Sequence, residues 1–148
     1  MADLTATAHE RREQIRARAA SIGIDDAYIS RLVDAFYDRI RVHPALGPIF
    51  EEVIGGDWGA HLARMKSFWA SVALNAGAYR GKPVPAHQKL VRVQPGHFGI
   101  WLALFRQTLE DTAPTGEAVD YFMERANRIA ESLQLAMFGL PGLPVNRP

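Results

Sequence analysis

The sequence contains no cysteine among its 148 residues. Disulfide bonds, metal sites built from thiolates and cysteine nucleophiles are therefore excluded. Every apolar run is too short to cross a bilayer, and the early charged residues leave no apolar core of a signal peptide. We therefore expect a cytoplasmic protein that does not associate with a membrane.

An excess of charge of one sign is also missing, because the net charge is only +1. With 22% charged and 48% hydrophobic residues, the composition is that of an ordinary globular chain. This balance gives no reason to expect a nucleic-acid partner. We expect an N-terminal extension over residues 1–23, a single helical domain over 24–138 and a flexible tail over 139–148.

Signals for strands, repeats and common catalytic motifs are absent as well. No segment alternates apolar and polar residues, and no hairpin turn is evident. The chain has no glycine-rich phosphate loop, no nucleophile elbow and no candidate pair of buried carboxylates. The sequence therefore predicts an all-α fold, and its short helices with proline- and glycine-containing connections favour crossed packing.

Four stretches carry apolar residues at helical spacing. The clearest follows Asp25, a residue type that caps helices, and the next three begin near Asp57, Pro95 and Gly116. The first stripe consists of Ile29, Leu32, Val33, Phe36, Tyr37 and Ile40. Between the first two stretches, the segment HPALGPIF predicts a short helical turn, closed by an inward-pointing Phe50.

Two histidines occupy unusual settings. His61 shares a helix face with Met65, Phe68 and Val72, and it needs a polar partner there, either a backbone carbonyl or a ligand. His87 follows a proline-containing turn, where one neutral imidazole is a candidate axial ligand for iron; a hydrogen-bonded surface histidine is the alternative. The two lie 26 positions apart and no cysteine is present, so a zinc site is not expected.

Tyr37 and Trp101 each place one polar donor within an apolar stripe. Taken singly, both are ordinary core residues, since buried tyrosine and tryptophan usually find a hydrogen-bond partner. Together with His61 they can supply three donors to one small polar ligand in an apolar cavity. The combination points to ligand binding more specifically than any of its members does.

Four segments, in this order, resemble the truncated hemoglobins of the third group: FYDRIRVHPALGPIF, W..HL..M..FW, Y.GKP...H and HF..WL.LF. The resemblance covers about residues 25–138. It implies a globin-like, truncated two-over-two helical sandwich that holds heme b. The four segments in this order are specific to that family, although each segment alone is not.

The resemblance also implies roles for individual residues. His87 matches the histidine bonded to the iron, and Arg64 suits a heme propionate. Tyr37, His61 and Trp101 match the polar residues on the opposite face, where His61 would act as a gate. The residues expected to contact the heme are Phe50, His61, Arg64, Met65, Phe68, Trp69, His87, Phe98 and Trp101.

The function implied is binding of dioxygen, nitric oxide or a similar small ligand at the heme iron. Oxygen transport, detoxification of nitric oxide or peroxide with a separate reductase, and ligand sensing all remain open. The alternative from a different class is a helical interaction module without heme, which would use the basic N-terminal segment.

Overall fold

The computed structural model describes residues 4–74 and 93–139, and within these ranges all regular structure is helical. Six helices are present there. They are α1 (Leu4–Ser21), α2 (Asp26–Val42), α3 (Leu46–Ile54), α4 (Trp58–Leu74), α5 (Pro95–Thr112) and α6 (Gly116–Phe138). The all-α prediction is confirmed, and α2 and α5 begin where the capping and proline signals placed them.

Helix α2 lies at the centre of the fold. Its N-terminus is capped by Asp25, whose Oδ1 accepts a hydrogen bond of 2.8 Å from the backbone N–H of Tyr28. All six residues of its predicted apolar stripe are buried. The helix is covered on several sides, because it packs against α3, α4 and α5.

The helices form two pairs, one against the other. Helix α2 packs against α4, α5 packs against α6, and the pairs meet through α2 and α5. This arrangement is the predicted two-over-two sandwich. It places the His61 helix and the Trp101 helix on neighbouring sides of α2.

Stacked aromatic rings fix α4 against α5. Phe105 stacks on Trp69 with ring centroids 5.0 Å apart and on Trp101 with centroids 5.4 Å apart. The Phe36 ring from α2 meets Phe105 edge-on at 4.9 Å. Such pairs contribute about 0.5–1.5 kcal/mol each beyond their buried area. The centre of the domain is therefore a rigid support for side chains on the three helices.

Helix α3 is longer than the short turn predicted from HPALGPIF. It continues to Ile54 because Pro48 lies in the first turn, where proline is tolerated, and helix-compatible residues follow. Its start is held by His43, whose Nδ1 accepts hydrogen bonds from the backbone N–H groups of Ala45 and Leu46. Phe50 consequently lies within the helix rather than at its end.

The N-terminal segment forms helix α1, which contacts α4. Most of its described side chains are exposed, whereas Ala19 near its end is fully buried. Helix α6 ends at Phe138, and Gly139 follows it with a φ of +78°, which is suited to glycine. Residues 140–148 lie outside the described ranges, so the flexible tail stays a prediction. None of the described helices has the length and apolar character needed to span a membrane.

Gly23 connects α1 to α2 in a conformation that other residues rarely adopt. Its φ is +90°, and an added Cβ would lie 2.3 Å from Cγ of Pro114. We expect Gly23→Ala to lower the free energy of unfolding by about 2–4 kcal/mol, since backbone strain and overpacking add. Urea unfolding measures this. Gly56→Ala is the matched control, because nothing lies within 4 Å of its added Cβ; equal midpoints for the two variants would contradict the expectation.

Candidate functional site

Three aromatic rings meet where α2 packs against α4. One ring comes from α2 and two come from α4. Tyr37 of α2 contacts His61 of α4 with ring centroids 5.0 Å apart, and Trp58 lies 6.3 Å from Tyr37 and 6.1 Å from His61. All three contacts are edge-to-face. The structure therefore brings together Tyr37 and His61, two of the residues that the sequence placed in one pocket.

The phenol of Tyr37 is held in its neutral form. Only 5% of the residue is exposed, and burial raises the pKa of its hydroxyl group. Burial acts in this direction because the phenolate would lose its hydration. At neutral pH, Tyr37 therefore keeps a proton that it can donate to a neighbouring polar atom.

The same burial predicts a specific sensitivity to alkali. The folded-state pKa of Tyr37 is above the unfolded value of about 10, so its contribution to stability is complete below pH 10 and is lost as the pH rises. We expect Tyr37→Phe to lose about 1.4 kcal/mol less stability than the parent protein between pH 7 and pH 11. Urea unfolding of both proteins at the two pH values measures the difference. Identical losses would show that the phenol ionises equally easily in both states.

His61 lies one turn into α4 and is half-buried, with its Nε2 atom enclosed by the protein. Its backbone N–H donates to the carbonyl of Asp57, which directly precedes the helix. The imidazole is therefore positioned by the start of α4 and by its ring contacts. It lies at the boundary between the core and the outside.

The side chains of Trp101 and Tyr37 are connected through the ring of Phe36. Both contact Phe36, whose centroid is 5.4 Å from that of Trp101 and 5.5 Å from that of Tyr37. Trp101 is half-buried and packs against the main core through Phe105. The structure thus groups Tyr37 with His61 directly and with Trp101 through one intervening phenylalanine.

The other residues predicted to contact the heme differ in how deeply they are buried. Met65 and Phe68 are half-buried on α4, and Phe50 is half-buried with its ring 5.9 Å from Tyr37. Trp69 lies deeper, at 2% exposure, within the aromatic stack. Phe98 belongs to a smaller cluster with residues of α6. Arg64 is exposed on α4.

His87, the predicted iron ligand, lies outside the described residues, as do Tyr79, Gly81 and Pro83 of the same segment. Within residues 4–74 and 93–139, no group of three or more histidine, aspartate or glutamate side chains could hold a metal ion. The assignment of His87 therefore stays a prediction.

Trp58 begins the segment W..HL..M..FW, but the sequence analysis gave it no role at the site. Its indole Nε1–H donates to Oε2 of Glu51 at 3.0 Å, and the guanidinium carbon of Arg41 lies 4.5 Å from a ring centroid. The available signal was its spacing, because residues three positions apart on a helix are neighbours on its surface. Trp58 and His61 have that spacing.

Comparison with known proteins supports the predicted family. The chain is 33% identical over 122 residues to the group 3 truncated hemoglobin ctb of Campylobacter jejuni, covering 80% of this chain and 95% of that protein. It matches the crystal structure of the group III truncated hemoglobin from Campylobacter jejuni with a TM-score of 0.75 and 32% identity, covering 81% of this chain and 96% of the other. No protein-family model matches. The identity over most of both chains and the shared globin-like fold show that this chain belongs to the group III truncated hemoglobins.

Proposed function

We propose that the protein holds heme b and binds dioxygen and other small diatomic ligands at the heme iron, with His87 as the protein ligand of that iron. The carrying observation is the buried, protonated Tyr37 in ring contact with His61. Both similar proteins are named as truncated hemoglobins, which supports the same cofactor class here.

The chemistry of the described residues fits such a group. Met65, Phe68 and Val72 give α4 a half-buried apolar face that packs against the main core. A flat apolar macrocycle needs apolar walls of this kind, with a few polar groups to fix its orientation. Arg64 is exposed on the same helix and provides a cation for a propionate. We propose that these residues, with Phe50 and Phe98, hold the heme.

Bound heme supplies an iron atom that coordinates one diatomic ligand. The protein's own contribution is to donate hydrogen bonds and to exclude water. The neutral hydroxyl of Tyr37 and the indole N–H of Trp101 are donors, and hydrogen bonds to a partly charged acceptor contribute about 1.5–3 kcal/mol. Such donors slow the departure of a polar ligand by roughly ten- to hundredfold. His61, at the boundary of the core, is positioned to control entry.

Slow release of bound dioxygen suits a protein that reacts with this ligand better than a protein that delivers it. A protein that releases dioxygen slowly is a poor carrier, whereas a held ligand has time to react. We therefore favour detoxification of nitric oxide or peroxide over oxygen transport. This chemistry consumes electrons, and we propose that a separate reductase supplies them.

The test is the visible spectrum of the purified protein, reduced and free of dioxygen. A Soret band with the shape of a five-coordinate ferrous heme with histidine is expected. Protein that stays colourless after incubation with hemin would overturn the proposal. Turnover of nitric oxide by the dioxygen-loaded form, sustained by an added reductase, then distinguishes an enzyme from a carrier.

A further inference from the structure

Trp58 connects the protein surface to the Tyr37–His61 pair. On its outer side, its Nε1–H donates to Glu51 of α3 at 3.0 Å, and Arg41 of α2 lies over its ring at 4.5 Å. Glu51 and Arg41 are both exposed, whereas Trp58 is only 7% exposed. A buried ring is thus held by two charged side chains, each from a different helix.

On its inner side, Trp58 bounds the space in which the His61 ring can move. The imidazole contacts Tyr37 at 5.0 Å and Trp58 at 6.1 Å, and these two rings also contact each other at 6.3 Å. Tyr37 is fixed in the core. While Trp58 keeps its place, it restricts rotation of the His61 ring on this side, and rotation of Trp58 removes that restriction.

We infer that Trp58 is a positioning residue for His61, and that Glu51 and Arg41 form a surface latch that holds Trp58 in this position. The inference rests on the proposed function, because it treats His61 as the group that controls entry of a small ligand. Releasing the latch lets Trp58 rotate, which in turn lets His61 leave its place beside Tyr37. The latch thereby sets how often the entrance opens.

The expected effect is moderate because water competes for both charged groups. A hydrogen bond from an indole to a partly exposed carboxylate shifts an opening equilibrium by roughly three- to tenfold. The cation–π contact of an exposed arginine contributes somewhat less. We therefore expect Glu51→Leu to raise the rate of carbon monoxide association by roughly three- to tenfold, and Arg41→Gln to raise it by a smaller factor.

A double-mutant cycle tests whether Glu51 affects ligand entry through Trp58, rather than testing each residue alone. Flash photolysis of the full-length heme-loaded protein gives the association rate for Glu51→Leu, Trp58→Phe and the combination. Because phenylalanine lacks the N–H, Glu51→Leu should have little further effect in the Trp58→Phe background. Glu131→Gln is the matched control, since Glu131 is an exposed carboxylate on α6, and it should leave the rate unchanged.

A second readout follows His61 itself. In the diamagnetic carbon monoxide form, the ring proton resonances of His61 should shift in both Glu51→Leu and Trp58→Phe. Unshifted resonances, or a Glu51→Leu effect that persists in full without the Trp58 N–H, would overturn the inference. If Trp58→Phe does not fold, the His61 resonances and the carbon monoxide association rate of Glu51→Leu test the inference. A parent protein that takes up no hemin would instead overturn the proposed function, and the His61 resonances of that protein would still test the contact.

Discussion

Replacing His87 by alanine is expected to abolish the five-coordinate histidine spectrum of the reduced protein. In the proposed function His87 is the protein ligand of the iron, and alanine has no atom that can coordinate a metal. The apolar walls remain in this variant, so hemin should still partition into the protein with weaker affinity. Absorption spectra of the reduced variant in the absence of dioxygen measure the outcome.

The control for this prediction is another histidine. His9 is exposed on α1 and pairs with Glu13 at 2.9 Å, so His9→Ala should leave the spectrum as it is. Addition of free imidazole to the His87→Ala protein should restore a histidine-like spectrum, because the small molecule can occupy the space left by the side chain. A reduced His87→Ala protein with the parent spectrum would rule out His87 as the ligand.

The helical framework was predictable because it depends on local signals. In α2 a capping aspartate precedes six apolar residues at helical spacing, and all six are buried. Pro95 and Gly139 likewise mark the start of α5 and the end of α6. These features require only the geometry of one helix, which the order of residues determines directly.

The neighbours of the site were harder to predict because they depend on contacts between helices. Trp69 stacks on Phe105 in the core, a contact that depends on how α4 crosses α5, and its expected place in the pocket wall stays a prediction. Trp58 contacts Glu51 and Arg41, which come from two other helices. Helical spacing identifies a face of a helix, and it does not identify which element covers that face.

The contact of Tyr37 with His61 was less predictable than the helices and more predictable than the neighbours of the site. Each residue occupied an apolar stripe where a polar group needs a partner, and the sequence analysis grouped both with Trp101 as donors to one small ligand. The structure places the two rings in contact at 5.0 Å, and their role toward a ligand stays a prediction. The proposed donor role of Tyr37 depends further on its protonation, which follows from burial rather than from the pattern of the sequence.

In the proposed function, removing a hydrogen-bond donor to the bound ligand is expected to have the largest kinetic effect. Tyr37→Phe deletes one hydroxyl group and keeps the ring that contacts Phe36, Phe50 and His61. We expect the rate of dioxygen dissociation to rise by roughly ten- to hundredfold, because a hydrogen bond to a partly charged acceptor contributes about 1.5–3 kcal/mol. Trp101→Phe should act in the same direction. Stopped-flow displacement of dioxygen by carbon monoxide measures both rates.

Tyr28→Phe provides a matched loss of a hydroxyl group elsewhere in the core. Tyr28 is 1% exposed, and its hydroxyl hydrogen-bonds Oγ1 of Thr112 at 2.9 Å. This variant should lose about 1 kcal/mol of stability while releasing dioxygen at the parent rate. An unchanged dissociation rate in Tyr37→Phe would remove that hydroxyl as a donor. Equal acceleration in Tyr37→Phe and Tyr28→Phe would attribute the effect to a loosened core, since only the first of these phenols contacts His61.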